Sequence, residues 1–122
     1  VACIGATRDG QLLNVNADTL ASHLAGALGA ARLIIAGGTS GVLDSEGRTI
    51  DRLTTRDAER LIKAGTANKG MVAKLQACRA ALRAGVGDVT IVNGRGVDFA
   101  RPEGSPRRGG GSGETGFTRV VA

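Results

Sequence analysis

The chain has no tryptophan, no tyrosine and only two phenylalanines in 122 residues. A core without large rings must be built from Leu, Val, Ile and Ala, which favours alanine-rich helices set closely on a sheet. The shortage of aromatics also argues against nucleic acid as a partner. No side chain is available to stack on bases, and no Lys/Arg block is interleaved with rings. No apolar run approaches the roughly 20 residues of a membrane-spanning helix, so no membrane partner is expected. No charged-then-apolar leader opens the chain, which instead starts inside an apolar run, Val1-Ala2-Cys3-Ile4, as if the earlier part of a strand were missing. Cysteine is scarce too. Cys3 and Cys78 are far apart and each lies among apolar residues. Two free thiols in a reducing cytoplasm are expected, with no spacing to recommend a disulfide or a metal pair. The lone histidine, His23, stands beside an apolar stripe and reads as structural.

What is present is an ordinary globular mixture. Hydrophobic residues make up 42% of the chain, enough for one domain with one modest core. The net charge is +5 and the sequence pI about 10.2, a balance compatible with anionic small molecules. Part of the excess belongs to the tail, at Arg101, Arg107, Arg108 and Arg119.

The stretch Asn14-Val15-Asn16-Ala17-Asp18 compresses a strand end, a turn and a helix start into five residues. Asn16 or Asp18 can cap the helix, because either side chain accepts from free backbone N–H groups. Ala17, Leu20, Ala21, Leu24 and Leu28 then form one apolar stripe, and Gly29 ends the helix. Strand Leu33-Ile34-Ile35-Ala36 follows. The polar cluster is thus expected at the carboxyl end of a strand and at the positive end of a helix dipole, where open α/β sheets bind ligands.

Val1 to Gly5 and Leu12 to Val15 read as strands about an Asp9-Gly10 turn. Gly37-Gly38-Thr39-Ser40-Gly41 is a glycine-rich loop after a strand. Val42-Leu43 and Arg48 to Ile50 pair as a short hairpin about the turn at Asp44 to Gly47. A second helix starts near Thr54 or Thr55 and ends at Gly65; a third runs from about Lys69 to Ala84 and leads into strand Val89–Val92. Helix, short loop and strand in repetition predict an α/β fold, a three-layer αβα sandwich with a mainly parallel sheet. Arg101 to Glu114 holds both prolines, five glycines and three arginines, and the segment at about 101–115 reads as a flexible insertion. Gly116 to Val121 reads as a final edge strand.

Lys74 is the most informative charge. On the third helix Met71, Leu75, Cys78 and Leu82 form the buried stripe, while Gln76, Arg79 and Arg83 form a solvated face. Lys74 lies on the other flank with Gly70, Ala77 and Ala81, small residues that let something approach. It is either a phosphate ligand or a lysine snorkelling past packed alanines. The Gly37–Gly41 loop is either a cradle of backbone N–H groups for phosphate or a plain tight turn; it lacks the Walker spacing and the Lys-Ser/Thr ending. Asp18 is either a cap or a catalytic carboxylate, with the amides of Asn14 and Asn16 beside it.

These segments together resemble the carboxyl half of an amino acid kinase, of the acetylglutamate kinase type. The similarity is carried by Gly10-Gln11-Leu12-Leu13-Asn14-Val15-Asn16-Ala17-Asp18, Leu28-Gly29-Ala30, Leu33-Ile34-Ile35, Gly41-Val42-Leu43-Asp44, Ala64-Gly65-Thr66, Gly70-Met71-Val72-Ala73-Lys74 and Ala84-Gly85-Val86. Thr118-Arg119-Val120-Val121 resembles the family's closing strand. The resemblance implies transfer of the γ-phosphoryl of ATP to the side-chain carboxylate of N-acetyl-L-glutamate, a step of arginine biosynthesis, with Mg2+ held mainly by the nucleotide. It implies that Asn14 and Asn16 hold the acyl-amino-acid substrate, that Asp18 organises the catalytic lysines and that Lys74 stabilises the transferring phosphoryl group. Gly37, Gly38, Thr39, Ser40, Gly41, Val42 and Leu43, with Thr66, Ala67, Asn68, Gly70 and Met71, would contact the nucleotide. It further implies a cytoplasmic enzyme, a homo-oligomer when full length, whose amino-terminal half supplies another lysine, a phosphate loop and most of the acyl pocket. Residues 1–122 would then be the nucleotide-binding half, inactive alone. The family usually has Ser/Thr-Asp where this chain has Gly37-Gly38. Two alternatives stay open: a kinase for a related carboxylate such as carrier-bound aminoadipate, and a non-catalytic regulatory or binding domain of the same fold.

Overall fold

A computed structural model describes residues 1–95 and 116–122; the expected insertion at 101–115 lies outside the described residues. Strands β1 (Ile4–Ala6) and β2 (Leu12–Asn14) form an antiparallel hairpin separate from the main sheet. Helix α1 (Ala17–Ala27) follows, then β3 (Arg32–Gly37), β4 (Arg52–Thr54), α2 (Thr55–Lys63), α3 (Lys69–Arg83), β5 (Asp88–Asn93) and β6 (Phe117–Val121). The main sheet has the order β3-β5-β6-β4. β3 is parallel to β5 and β4 to β6, while β6 runs antiparallel to β5. This is the expected α/β class with a largely parallel sheet. α3 packs between α1 and α2 and lies over β5 and β6, so the described residues supply the sheet and a helical layer.

Each helix starts on a side-chain cap. Asn16 accepts from the Thr19 N–H, Asn68 from the Met71 N–H, and Thr54 and Asp57 cap each other reciprocally. The hydrogen bonds from Thr54 hold the Asp57 carboxyl below the usual carboxylate range. Gly29 and Gly65 end α1 and α2 at φ of 59° and 68°, left-handed values that favour a residue without Cβ.

Two expectations are corrected, and one strand is new. β6 is not an edge strand: it pairs on both sides, and its alternate residues Thr118 and Val120 are fully buried. Its partner β4 went unanticipated because it is three residues long with a single buried side chain, Leu53. Arg79 is not solvated; α2 lies beside it, its side chain is 18% exposed and it pairs with Glu59.

The apolar stripe of α1 does not face the body of the protein. Ser22 and Ala25 are buried instead, while Leu24 and Leu28 are 37% and 73% exposed. The cause is a close helix approach. A Cβ added at Gly26 would lie 2.6 Å from the Cβ of Ala84, so α1 turns its small-residue face to α3 and leaves the larger side chains outside. Gly26→Ala should therefore lower the melting temperature despite its better helix propensity. Overpacking costs about 1–3 kcal/mol against a gain of about 1 kcal/mol. Adding Ala84→Gly should recover most of the loss in thermal unfolding, and no recovery would place the strain elsewhere.

Candidate functional site

The α1–α3 approach brings two charges together across 56 positions of sequence. Asn16 is the cap of α1, so the Asp18 carboxylate in the first turn is free for another partner. That partner is Lys74, whose Nζ donates to both Asp18 oxygens at 3.1 Å. The two side chains are 19% and 18% exposed, so the pair is shielded more than a surface ion pair but still open on one side. The lysine stem lies over the last residue of β3. A Cβ at Gly37 would sit 3.3 Å from its Cε, so the missing side chain makes the room. α1 packs on α3, and the small-residue flank of Lys74 is closed, with Ala77 and Ala81 both buried.

The polar cluster does not close a strand of the main sheet, because β2 belongs to the separate hairpin. It is instead the Lys74 contact over Gly37 that places Asp18 at the carboxyl end of β3. Asn14 is exposed at the end of β2, and the Asn16 Oδ1 is engaged in capping. His23 is exposed on α1.

The Gly37–Leu43 loop is wired rather than slack. The Thr39 hydroxyl donates to the Gly41 carbonyl and the Thr49 hydroxyl to the Ser40 carbonyl, both at 2.8 Å. The Ile50 N–H donates to the Val42 carbonyl at 2.8 Å, and the Val42 N–H donates to the Thr118 hydroxyl at 2.7 Å. Gly41 has φ +86°, and a Cβ there would lie 2.5 Å from the Thr118 Oγ1, so only glycine fits. Gly38 is exposed with nothing within 4 Å of an added Cβ. Backbone hydrogen bonding from Arg48 holds the Asp44 carboxyl below its ordinary range and fixes the turn that follows.

Thr39, Val42, Leu43, Asp44, Thr66, Asn68 and Met71 line one cleft of about 220 Å³. Two segments expected to share a ligand are thus brought face to face: the glycine loop and the start of α3. Ala67 is half-buried between them in sequence, and Gly70 is exposed in the first turn of α3. Met71 lies one helical turn before Lys74, so the cleft and the ion pair adjoin. α3 carries no acidic residue in its first turn, unlike α1 with Asp18 and α2 with Asp57. The positive end of its dipole is therefore not offset locally. Cys78, one turn beyond Lys74, is fully buried. Burial pushes its thiol up to about 12, the Asp18 charge acts in the same direction and Lys74 opposes it.

Comparison with known proteins identifies the family. A profile described as the amino acid kinase family matches residues 1–93. The acetylglutamate kinase of Parvibaculum lavamentivorans is 43% identical over 95 residues, 78% of this chain and 31% of that enzyme. The acetylglutamate kinase of Sinorhizobium fredii is 40% identical over 112 residues, 92% of this chain and 38% of that enzyme. The chain thus spans about a third of the length of these relatives. A solved protein of Streptococcus mutans UA159 superposes with a TM-score of 0.71 at 34% identity, over 75% of this chain and 37% of that one. N-acetylglutamate synthase from Neisseria gonorrhoeae, complexed with coenzyme A and N-acetyl-glutamate, superposes at 0.78 over 98% of this chain and 26% of that one. At 22% identity the latter is a likeness of fold.

The elevated Cys78 thiol yields a direct check. At pH 8 the folded chain should react with iodoacetamide at the half-buried Cys3 alone, and at both cysteines once denatured. Modification of Cys78 in the native state, read by peptide mass, would mean that the α3 interior is open.

Proposed function

The chain belongs to the amino acid kinase family, and from that premise we propose that it is the carboxyl-terminal, nucleotide-binding half of an acetylglutamate kinase. The full-length enzyme transfers the γ-phosphoryl of Mg-ATP to the side-chain carboxylate of N-acetyl-L-glutamate, leaving ADP and an acyl phosphate. The observation that carries this reading is the Asp18–Lys74 pair at the carboxyl end of β3, beside a cleft walled by the glycine loop and the start of α3.

Phosphoryl transfer asks a protein for placement and positive charge more than for a covalent catalyst. Lys74 supplies charge where the equatorial oxygens of the transferring group gather it. Asp18 orients the ammonium and need not act as a base, because a carboxylate acceptor has no proton to lose. Backbone N–H groups of the glycine loop and the uncompensated amino end of α3 suit phosphate oxygens. Asn14, and the amide NH2 that Asn16 keeps while its oxygen caps α1, can donate to the acyl substrate. Among the described residues no three His, Cys, Asp or Glu side chains converge to ligate a metal; in this reading Mg2+ travels on the nucleotide phosphates.

Lys74 and Asp18 cancel each other's charge, so the remaining positive charge and most of the acyl pocket are assigned to an amino-terminal half outside this chain. The full-length protein is taken as a cytoplasmic homo-oligomer acting in arginine biosynthesis. One observation favours a second reading, a nucleotide-free binding domain: Gly38 presents no side chain to the open space beside the cleft. Titration of the full-length protein with Mg-ATP separates the two.

In the full-length enzyme, Lys74→Ala and Asp18→Asn should each lower kcat by about 100-fold or more, the scale of losing one electrostatic stabiliser, in an acyl-phosphate assay with the fold intact. Turnover close to wild type in both would contradict the assignment. The isolated 122-residue chain should show negligible turnover.

A further inference from the structure

We propose that Thr118, buried in the middle of the sheet, is a positioning residue for the nucleotide loop, a role that rests on the nucleotide reading given above. Thr118 is 0% exposed, so it cannot itself meet a ligand in the cleft. Its hydroxyl instead accepts the backbone N–H of Val42 at 2.7 Å, a bond between residues 76 positions apart and wholly within the interior. Val42 is one of the cleft-lining residues. Immediately before it the chain passes Gly41, whose absent side chain lets the loop settle on β6. A Cβ there would stand 2.5 Å from the Thr118 Oγ1 and 2.7 Å from its backbone nitrogen.

The two features are one device. Gly41 permits the approach and Thr118 rewards it, since a buried N–H without an acceptor is costly. With the hydroxyl gone, the Val42 amide must turn toward water, and the Thr39–Val42 wall moves with it. Two further bonds hold the same wall, from Thr49 to the Ser40 carbonyl and from Ile50 to the Val42 carbonyl. These bind carbonyls, however, and leave the Val42 N–H to Thr118 alone. The strand that carries Thr118 pairs with β5 and β4 on its two sides, so the loop is referenced to the centre of the sheet rather than to its rim.

The test compares Thr118→Val, which keeps shape and removes the acceptor, with Thr118→Ser, which keeps the acceptor. Both are made in this chain and read in two ways: amide exchange of Val42 by NMR, and MgADP affinity by calorimetry. Thr118→Val should speed Val42 exchange and weaken MgADP binding by about tenfold each, on the scale of one lost buried hydrogen bond. Thr118→Ser should stay close to wild type in both. Should valine prevent folding, Thr118→Ala carries the same comparison. Unchanged Val42 exchange in the acceptor-less variant overturns the anchor. Faster exchange with unchanged MgADP affinity overturns its role in positioning the loop for nucleotide. Failure of the wild type to bind MgADP overturns the nucleotide reading and this role with it, an outcome distinct from the other two.

Discussion

The ion pair between Asp18 and Lys74 is the contact on which the arrangement of this protein turns. It exists because α1 and α3 touch through residues with little or no side chain, Gly26 against Ala84 above all. It is placed because Gly37 leaves room for the lysine stem at the end of β3. Such a pair is a poor source of stability, since the desolvation of both groups offsets much of their attraction. Its physical value is orientation. A half-shielded ammonium held by two carboxylate oxygens keeps one bearing, and in the function proposed above that bearing aims a donor at an incoming phosphate.

The surroundings follow the same logic of fixing positions before a ligand arrives. The glycine loop is tied by hydrogen bonds to itself, to the hairpin behind it and to β6. Its glycines therefore serve close approach and not mobility. Gly41 accommodates Thr118, Gly37 accommodates Lys74, and Gly38 alone faces open space. Most of the exposed large apolar residues lie away from the cleft. Ile4, Leu12, Leu13, Leu24 and Leu28 belong to the β1–β2 hairpin and α1 or its cap, whereas Leu43, 40% exposed, lines the cleft itself.

Much of this was legible in the sequence because it rests on local rules. The cap at Asn16, the helix start at Thr54, the left-handed glycines and the long runs of β3, β5 and α3 are set by near neighbours; the Asn68 cap follows the same local rule but emerges only in the structure. What was not legible depends on partners distant in sequence. The stripe Leu20-Leu24-Leu28 has the right period for a buried face, yet α1 buries Ser22 and Ala25, because contact with α3 is decided by how closely two backbones can approach and not by hydrophobicity. β4 is too short to show alternation. β6 does not show from its own residues that it is central, because its second neighbour in the sheet, β4, is a segment more than 60 positions earlier in the chain. The Thr118–Val42 bond joins two such segments, and nothing in either one announces it. The convergence of Asp18 and Lys74 was expected through resemblance, and the geometry of α1 on α3 supplies its physical cause.

In the function proposed above, Lys74, oriented by Asp18, faces the phosphate end of a nucleotide. The chain has three lysines, Lys63, Lys69 and Lys74, so their side chains can be followed one by one with isotope-labelled lysine while MgADP is added. The Lys74 resonance should shift saturably, and the shift should be altered in Asp18→Asn. Saturable MgADP binding that leaves Lys74 unmoved would contradict it.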